Sequence, residues 1–328
     1  MKLLEFTKNM VNLRFRNMIK CFYYFYCDFK IYFPNCINGS SGKDQILAKI
    51  MLNIHQLEKG LSHTNTARPF GEEKAKNSIL LINEYLAFYE RNSNIELAIN
   101  VLNKYLQNKY STRNRMIRED IQNLIKENED IIGKFDTGVK FISKHMPFDE
   151  SLILDFFFSR NSVREFSHLQ IDDSIIVKIM QFASCTPTAC NRQTSRVHVY
   201  RDKIKMEKIL ENQLGNQGWC DNATAIFVLT SNISFFNSSY ERQQAYIDGG
   251  LYAMNFSYGL HLNNIASCFK MYIREPNIDK EFHKIANIPD NEVPIVLILA
   301  GHYKAESTVS PMSLRLPIIE NENLFFHS

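Results

Sequence analysis

Apolar positions recur every three or four residues in blocks at 44–61, 72–91, 95–109 and 114–131, and each block predicts a helix. From about residue 150 the pattern changes. Helical periods at 172–185, 202–214, 241–263 and 278–287 alternate with short β-like runs, RVHVY at 196–200, AIFVL at 225–229, IASCF at 265–269 and VPIVLILAG at 293–301. Helices around one mixed sheet are implied, an α+β arrangement preceded by an all-helical region. The chain divides accordingly into 1–40, 41–149 and 150–328, with the turn-rich NGSSG at 38–42 marking the first boundary.

The first segment is aromatic and basic. Lys2, Lys8, Arg14, Arg16, Lys20 and Lys30 stand against Glu5 and Asp28, a net +4 in a chain whose total is only +3. Phe15, Ile19, Phe22 and Tyr26 repeat at helical spacing. Two readings follow: an amphipathic helix resting on a membrane surface or partner, or a helix packed on its own protein. The run CFYYFYC at 21–27 is too short to span a bilayer and no small-residue cleavage site follows it, so it is neither a secretory signal nor an anchor.

Elsewhere lysine and arginine are spread along the 328 residues, which excludes nucleic acid as the default partner. The seven cysteines include no CxxC pair, and the nine histidines no HExxH or HxH spacing, so no metal site is proposed and a reducing cytoplasm fits best. There is no GxGxxG opening a helix after a strand and no P-loop. In HQLEKGLSHTNTARPFG, His55, Glu58, Lys59 and Arg68 crowd together, read either as a functional loop or as solvated helix ends.

The chemistry concentrates in two stretches. In SRNSVREF at 159–166, an extended backbone places Arg160, Ser162 and Arg164 on one side and Val163 opposite, whereas a helix would turn Ser162 away. Two guanidiniums and a hydroxyl suit phosphate oxygens or an electron-rich ring edge. In TPTACNRQTS at 186–195, Thr188, Asn191 and Gln193 supply groups that both donate and accept, as a heteroaromatic ring with alternating N–H, N and C=O positions requires. The bland alternatives are a surface loop and an ordinary helix-to-strand connection. Cys185 and Cys190 flank this loop as a redox pair or as incidental thiols.

Together these stretches resemble the nitroreductase family of FMN-dependent oxidoreductases: SRNSVREF matches its Arg-x-Ser-x-Arg/Lys-x-Phe segment, and PTACNRQ its Pro-Ser-x-x-Asn-x-Gln loop with Thr188 for the usual serine. YIDGGLYAMNFSYGLHLNNIASCF looks like the family's central helix and following strand, PIVLILAGHY like its last core strand, and SLRLP at 313–317 like its C-terminal basic element. The resemblance covers about 150–320. It implies FMN lined by Arg160, Ser162 and Arg164, with Arg315 on the phosphate and Thr188, Asn191 and Gln193 arriving from the other subunit of a homodimer. It also implies NADH or NADPH as electron donor and a small electron-poor acceptor, with no catalytic residue assigned.

A largely small-residue stripe, Ala245, Gly249, Ala253 and Phe256, serves either close helix approach across the dimer or packing within one subunit. Departures from the family are Thr194-Ser195 after Gln193, where Pro-Trp is common, Phe269-Lys270-Met271 in place of a glycine, and Ser313 where some members carry a second cation. A lysine near the flavin's substrate edge would alter pocket size and charge, leaving the acceptor open. LEKGLS and RPFG make the N-terminal half similar to the leader of longer nitroreductase-like proteins found with bacterial surface-polysaccharide genes. A non-catalytic dimeric scaffold in such an assembly is the rival reading.

Overall fold

The computed structural model describes residues 2–37, 42–63, 68–140, 142, 148–211, 213, 222–305, 308–315 and 324, with side chains from residue 13 onward except at 37. Most of the NGSSG break and part of the HQLEKGLSHTNTARPFG loop lie outside the described residues. Helix α1 (Lys2–Tyr32) leads into a short π-helical turn at Phe33–Ile37. Helices α2 (Lys43–Ser62), α3 (Glu72–Phe88), α4 (Ser93–Gln107) and α5 (Arg115–Lys126) then form the expected helical region. Their starts are written locally. Asn92 accepts from the N–H groups of Asn94 and Ile95, and Asn114 from that of Met116, satisfying donors that a helix start leaves free.

The buried faces of these helices meet in one core that includes Ile50, Leu57, Ile82, Tyr85, Ile99, Tyr105 and Ile121. Tyr105 ties the loop around it by donating to the Phe70 carbonyl at 2.5 Å and accepting from the Thr112 N–H at 2.8 Å. Gly71 next to it sits at φ 72°, and a Cβ there would lie 2.5 Å from Leu57 Cδ2, so both conformation and space require glycine.

The second half contains α6 (Glu150–Ser159), α7 (Asp173–Ala183), α8 (Lys203–Glu211), α9 (Gln244–Leu262) and α10 (Pro276–Ala286). They surround a sheet of β1 (Ser195–Tyr200), β2 (Ala225–Asn232), β3 (Ile265–Lys270) and β4 (Glu292–His302), in the order β1-β2-β4-β3 with antiparallel neighbours. The parallel component is small: Ser162 bridges Ser267, laying the 160–164 segment along the outer edge of β3.

Alternation along β2 sets the layers. Ala225, Phe227 and Leu229 face α7 and α9 through Ile179, Tyr252 and Phe256, while Ile226 and Val228 face α8 and α10 through Met206, Ile209 and Phe282. Both faces are covered, so β2 is buried throughout.

The two halves are joined by specific contacts. Phe235, in the turn after β2, belongs to the core of the helical region, and the Asp44 carboxylate accepts from Asn232 at 2.8 Å and Asn291 at 3.2 Å. Helix α2 packs against the turns at Ile233–Phe235 and Ala189–Asn191. The helical region therefore supports the loop that precedes β1.

Candidate functional site

Helix α6 ends at Ser159, and the chain leaves it extended at Arg160 and bridges β3 at Ser162. The Val163 N–H donates to the Ser267 carbonyl at 2.9 Å, and Val163 and Phe166 are buried in the sheet's α8/α10 layer. Arg160, Ser162 and Arg164 stay half-exposed on the other side. Glu165, the acid of this stretch, is exposed and paired with Lys304 at 2.6 Å.

Lys270, the last residue of β3, lies three residues beyond Ser267, the bridge partner of Ser162. Burial raises the Cys268 thiol above its ordinary value, while the nearby charges of Arg164, Lys270 and Arg160 pull against that rise. Arg164 also donates to the Ser162 carbonyl at 3.1 Å, and the same oxygen accepts from Ser310 Oγ at 3.1 Å. Ser310 lies in the 308–315 tail, so the chain carrying Arg315 returns to this edge; Arg315 is exposed and donates to the Ser313 carbonyl. The result is a cationic edge able to bind an anion.

The second stretch is built differently. Cys190, Asn191 and Gln193 all have φ between 52° and 54°, a conformation uncommon for residues with side chains. Thr188 Oγ1 accepts from the Gln193 N–H at 3.0 Å and so closes the turn, leaving Asn191 and Gln193 exposed. Between them Arg192 points inward and is only 3% exposed. Its guanidinium donates to the carbonyls of Ala189 (3.0 Å) and Phe235 (2.9 Å) and to Glu241 (2.5 Å), and it lies over the Phe236 ring. Burial alone would raise the Glu241 carboxyl; Arg192 and the Asn237 N–H outweigh it and leave that group below the usual carboxylate range.

Asp248 of α9 holds the loop from below, accepting from the Ala189 N–H at 2.9 Å and from Gln244 at 2.7 Å. Asn255 donates to Thr186 Oγ1 at 2.7 Å. Sequence reasoning passed over Arg192, Asp248 and Asn255. No local sequence signal marked Arg192: its burial follows from the left-handed turn at Cys190, Asn191 and Gln193, not from strand alternation.

One chain does not bring the two stretches together. Ser195 registers with Ser231 and thence Val293, whereas Ser162 registers with Ser267 and thence Ala300. They are thus separated by about 19 Å across four strand spacings and about 23 Å along β4, roughly 30 Å overall.

The small-residue stripe resolves inward: Ala245, Gly249, Ala253 and Phe256 are buried within the subunit, and a Cβ on Gly249 would meet Ile295 Cγ1 at 2.6 Å. The outer face of α9 instead presents Ile247, Leu251 and Leu262, with open space around Gly250. Asp172 caps α7, accepting from the Ser174 N–H at 2.7 Å. His55 and Glu58 face each other at 3.7 Å on α2, and Cys185 and Cys190 are free thiols. Among the described residues no cluster of His, Cys, Asp or Glu is arranged to hold a metal ion, and no helix is long and apolar enough to cross a membrane.

Residues 158–214 match the Nitroreductase family. The matched span holds both stretches, from just before Arg160 to beyond Gln193. No curated protein matches the chain. Among solved structures, the chain is similar to a nitroreductase family protein from Clostridium difficile 630, with 21% identity over 55% of this chain and 100% of that one and a TM-score of 0.43. It is similar also to an FMN-dependent nitroreductase from Clostridium difficile R20291 (16% identity, 51% and 99% coverage, TM-score 0.42). A nitroreductase family protein from Clostridium novyi NT gives 18% identity, 46% and 85% coverage, and a TM-score of 0.41.

Proposed function

We propose that this chain is an FMN-dependent oxidoreductase of nitroreductase type, acting as a homodimer in which the 160–164 edge of one copy and the 187–193 loop of the other hold one flavin. The observation that carries the reading is the pair of stretches inside the matched span, both presenting polar groups outward, yet about 30 Å apart in a single chain. A second copy can supply the half that the first holds out of reach. The exposed apolar outer face of α9 favours such an association.

The donor set fits FMN. Arg160, Ser162 and Arg164 are half-exposed on the segment that bridges β3, and guanidiniums and a hydroxyl on such an edge suit phosphate and carbonyl oxygens. Arg315 would add a phosphate contact, and Thr188, Asn191 and Gln193 would bond the heteroatoms of the ring from the partner. FMN would supply two-electron redox chemistry, coupling NADH or NADPH to a small electron-poor acceptor at one site.

Arg164, placed at the ring's pyrimidine edge, would favour negative charge there and raise the site's affinity for electrons. Lys270 would add a cation on the acceptor side. The experiment is flavin analysis of freshly purified protein: the reading predicts flavin absorbance bands and close to one FMN per chain. A colourless protein that takes up no added FMN would overturn it.

A further inference from the structure

Helix α1 turns its most apolar face away from the protein. Phe15, Met18, Ile19, Phe22, Phe25 and Phe29 fall within an arc of about 120° at 3.6 residues per turn, and every one is exposed, Phe22 at 75% and Phe25 at 69%. The opposite side meets the body of the protein. There Asp28 pairs with Arg274 at 3.0 Å, the Tyr32 hydroxyl donates to the Ser238 carbonyl at 2.9 Å, and Ile31 and Tyr32 pack on the cluster of Ile233, Phe236 and Val293. A surface helix in water normally has the reverse arrangement, apolar side inward and polar side outward.

Charge identifies what covers this face. By helical position Arg14 borders one edge of the aromatic arc and Lys30 and Arg16 border the other, while Lys20 falls on the side of Ile31, which faces the body. Asp28, the one acid between residues 13 and 33, is engaged with Arg274 on the body side. A second α1 laid face to face over residues 13–33 would bring cationic borders against cationic borders with no acid there but Asp28, which disfavours self-association. An anionic headgroup layer meets both demands, since it accepts the aromatic face and neutralises the borders. The helix does not cross: no described helix is long and apolar enough to do so.

We propose that α1 lies in the plane of an anionic lipid surface, its aromatic face set into the boundary between headgroups and acyl chains and Arg14, Arg16 and Lys30 at the phosphates. The contact between α1 and the body would hold the rest of the chain against that surface. This proposal is independent of flavin binding.

The test is flotation of the full chain with vesicles of phosphatidylglycerol and phosphatidylcholine in equal parts, and with phosphatidylcholine alone. Binding to the anionic vesicles is expected, falling at least about tenfold on neutral vesicles and in the R14E/R16E/K30E variant, because each cation near such a surface contributes about 1 kcal/mol. F22S/F25S/F29S should lose binding to a similar degree. All six side chains are exposed, so native circular dichroism and the wild-type flavin content should be retained. Equal binding by wild type and both variants, or no binding by wild type, would overturn the proposal. So would sedimentation without lipid in which the phenylalanine variant drops to a smaller oligomer, since the face would then be covered by a second copy.

Discussion

The two halves of the candidate site present polar groups in opposite ways. At the β3 edge, Arg160 and Arg164 are half-exposed on a strand-like segment whose position is fixed by main-chain pairing and by Val163 and Phe166 beneath it. At the loop before β1, the outward groups Asn191 and Gln193 are uncharged, and the charge sits underneath in the buried Arg192 and its partner Glu241. The first half carries its cations on a half-exposed edge, and the second spends its cation on shape. Removing a positive charge should therefore have contrasting consequences on the two sides.

The largest effect is expected at Arg192. Arg192→Ala strands the Glu241 carboxylate and frees two backbone carbonyls, and breaking a buried pair from one side costs about 3–5 kcal/mol. Urea unfolding measures it; a cost no greater than that of Arg164→Ala would erase the contrast. Next is Asp248→Ala, which leaves the Ala189 N–H without its acceptor, at about 1–3 kcal/mol. Its flavin affinity should fall together with stability, because the loop loses its geometry.

A smaller, pH-dependent effect follows from Glu241. Its carboxyl is held low in the folded chain, so the stability it contributes is present above the ordinary glutamate value of about 4.3 and is lost as pH falls through the lower folded value. The Tm advantage of wild type over Glu241→Gln should therefore be full at neutral pH and shrink below about pH 4. An advantage constant down to pH 3 would remove the ion pair as its source. Arg164→Ala should change stability least, by no more than about 0.5 kcal/mol, while FMN retention falls and the flavin's potential moves down. An unchanged potential would take Arg164 away from the ring edge.

Much of the architecture was legible because its periods are clean. The helices at 43–62, 72–88, 93–107 and 173–183 and all four strands begin and end within a few residues of the pattern's limits. Helix α6 was not foreseen: ESLILDFFFS is apolar on nearly every side and offers no polar face by which to recognise a period. The stripe on α9 was legible as a stripe but not in its direction, because an apolar helix packed on its own sheet and also exposed outward carries two apolar faces. The sequence left the segment from Arg160 to Arg164 open between a helix and an extended backbone, and the Ser162 bridge to β3 decides for the extended one. The distance between the site's halves was not legible. It depends on the strand order β1-β2-β4-β3, a consequence of long-range pairing that local pattern does not encode.

That distance makes the sharing of each flavin between two copies the central claim, and differently tagged heterodimers test it most directly. Arg160→Glu places an acid at the cationic edge, and Asn191→Asp places one on the facing loop; each homodimer should bind no FMN. In a purified heterodimer of the two, one site receives both lesions and the other neither. The account predicts FMN at half the wild-type stoichiometry. A heterodimer that binds none, prepared from chains that both remain folded, would contradict it and place each site within a single chain.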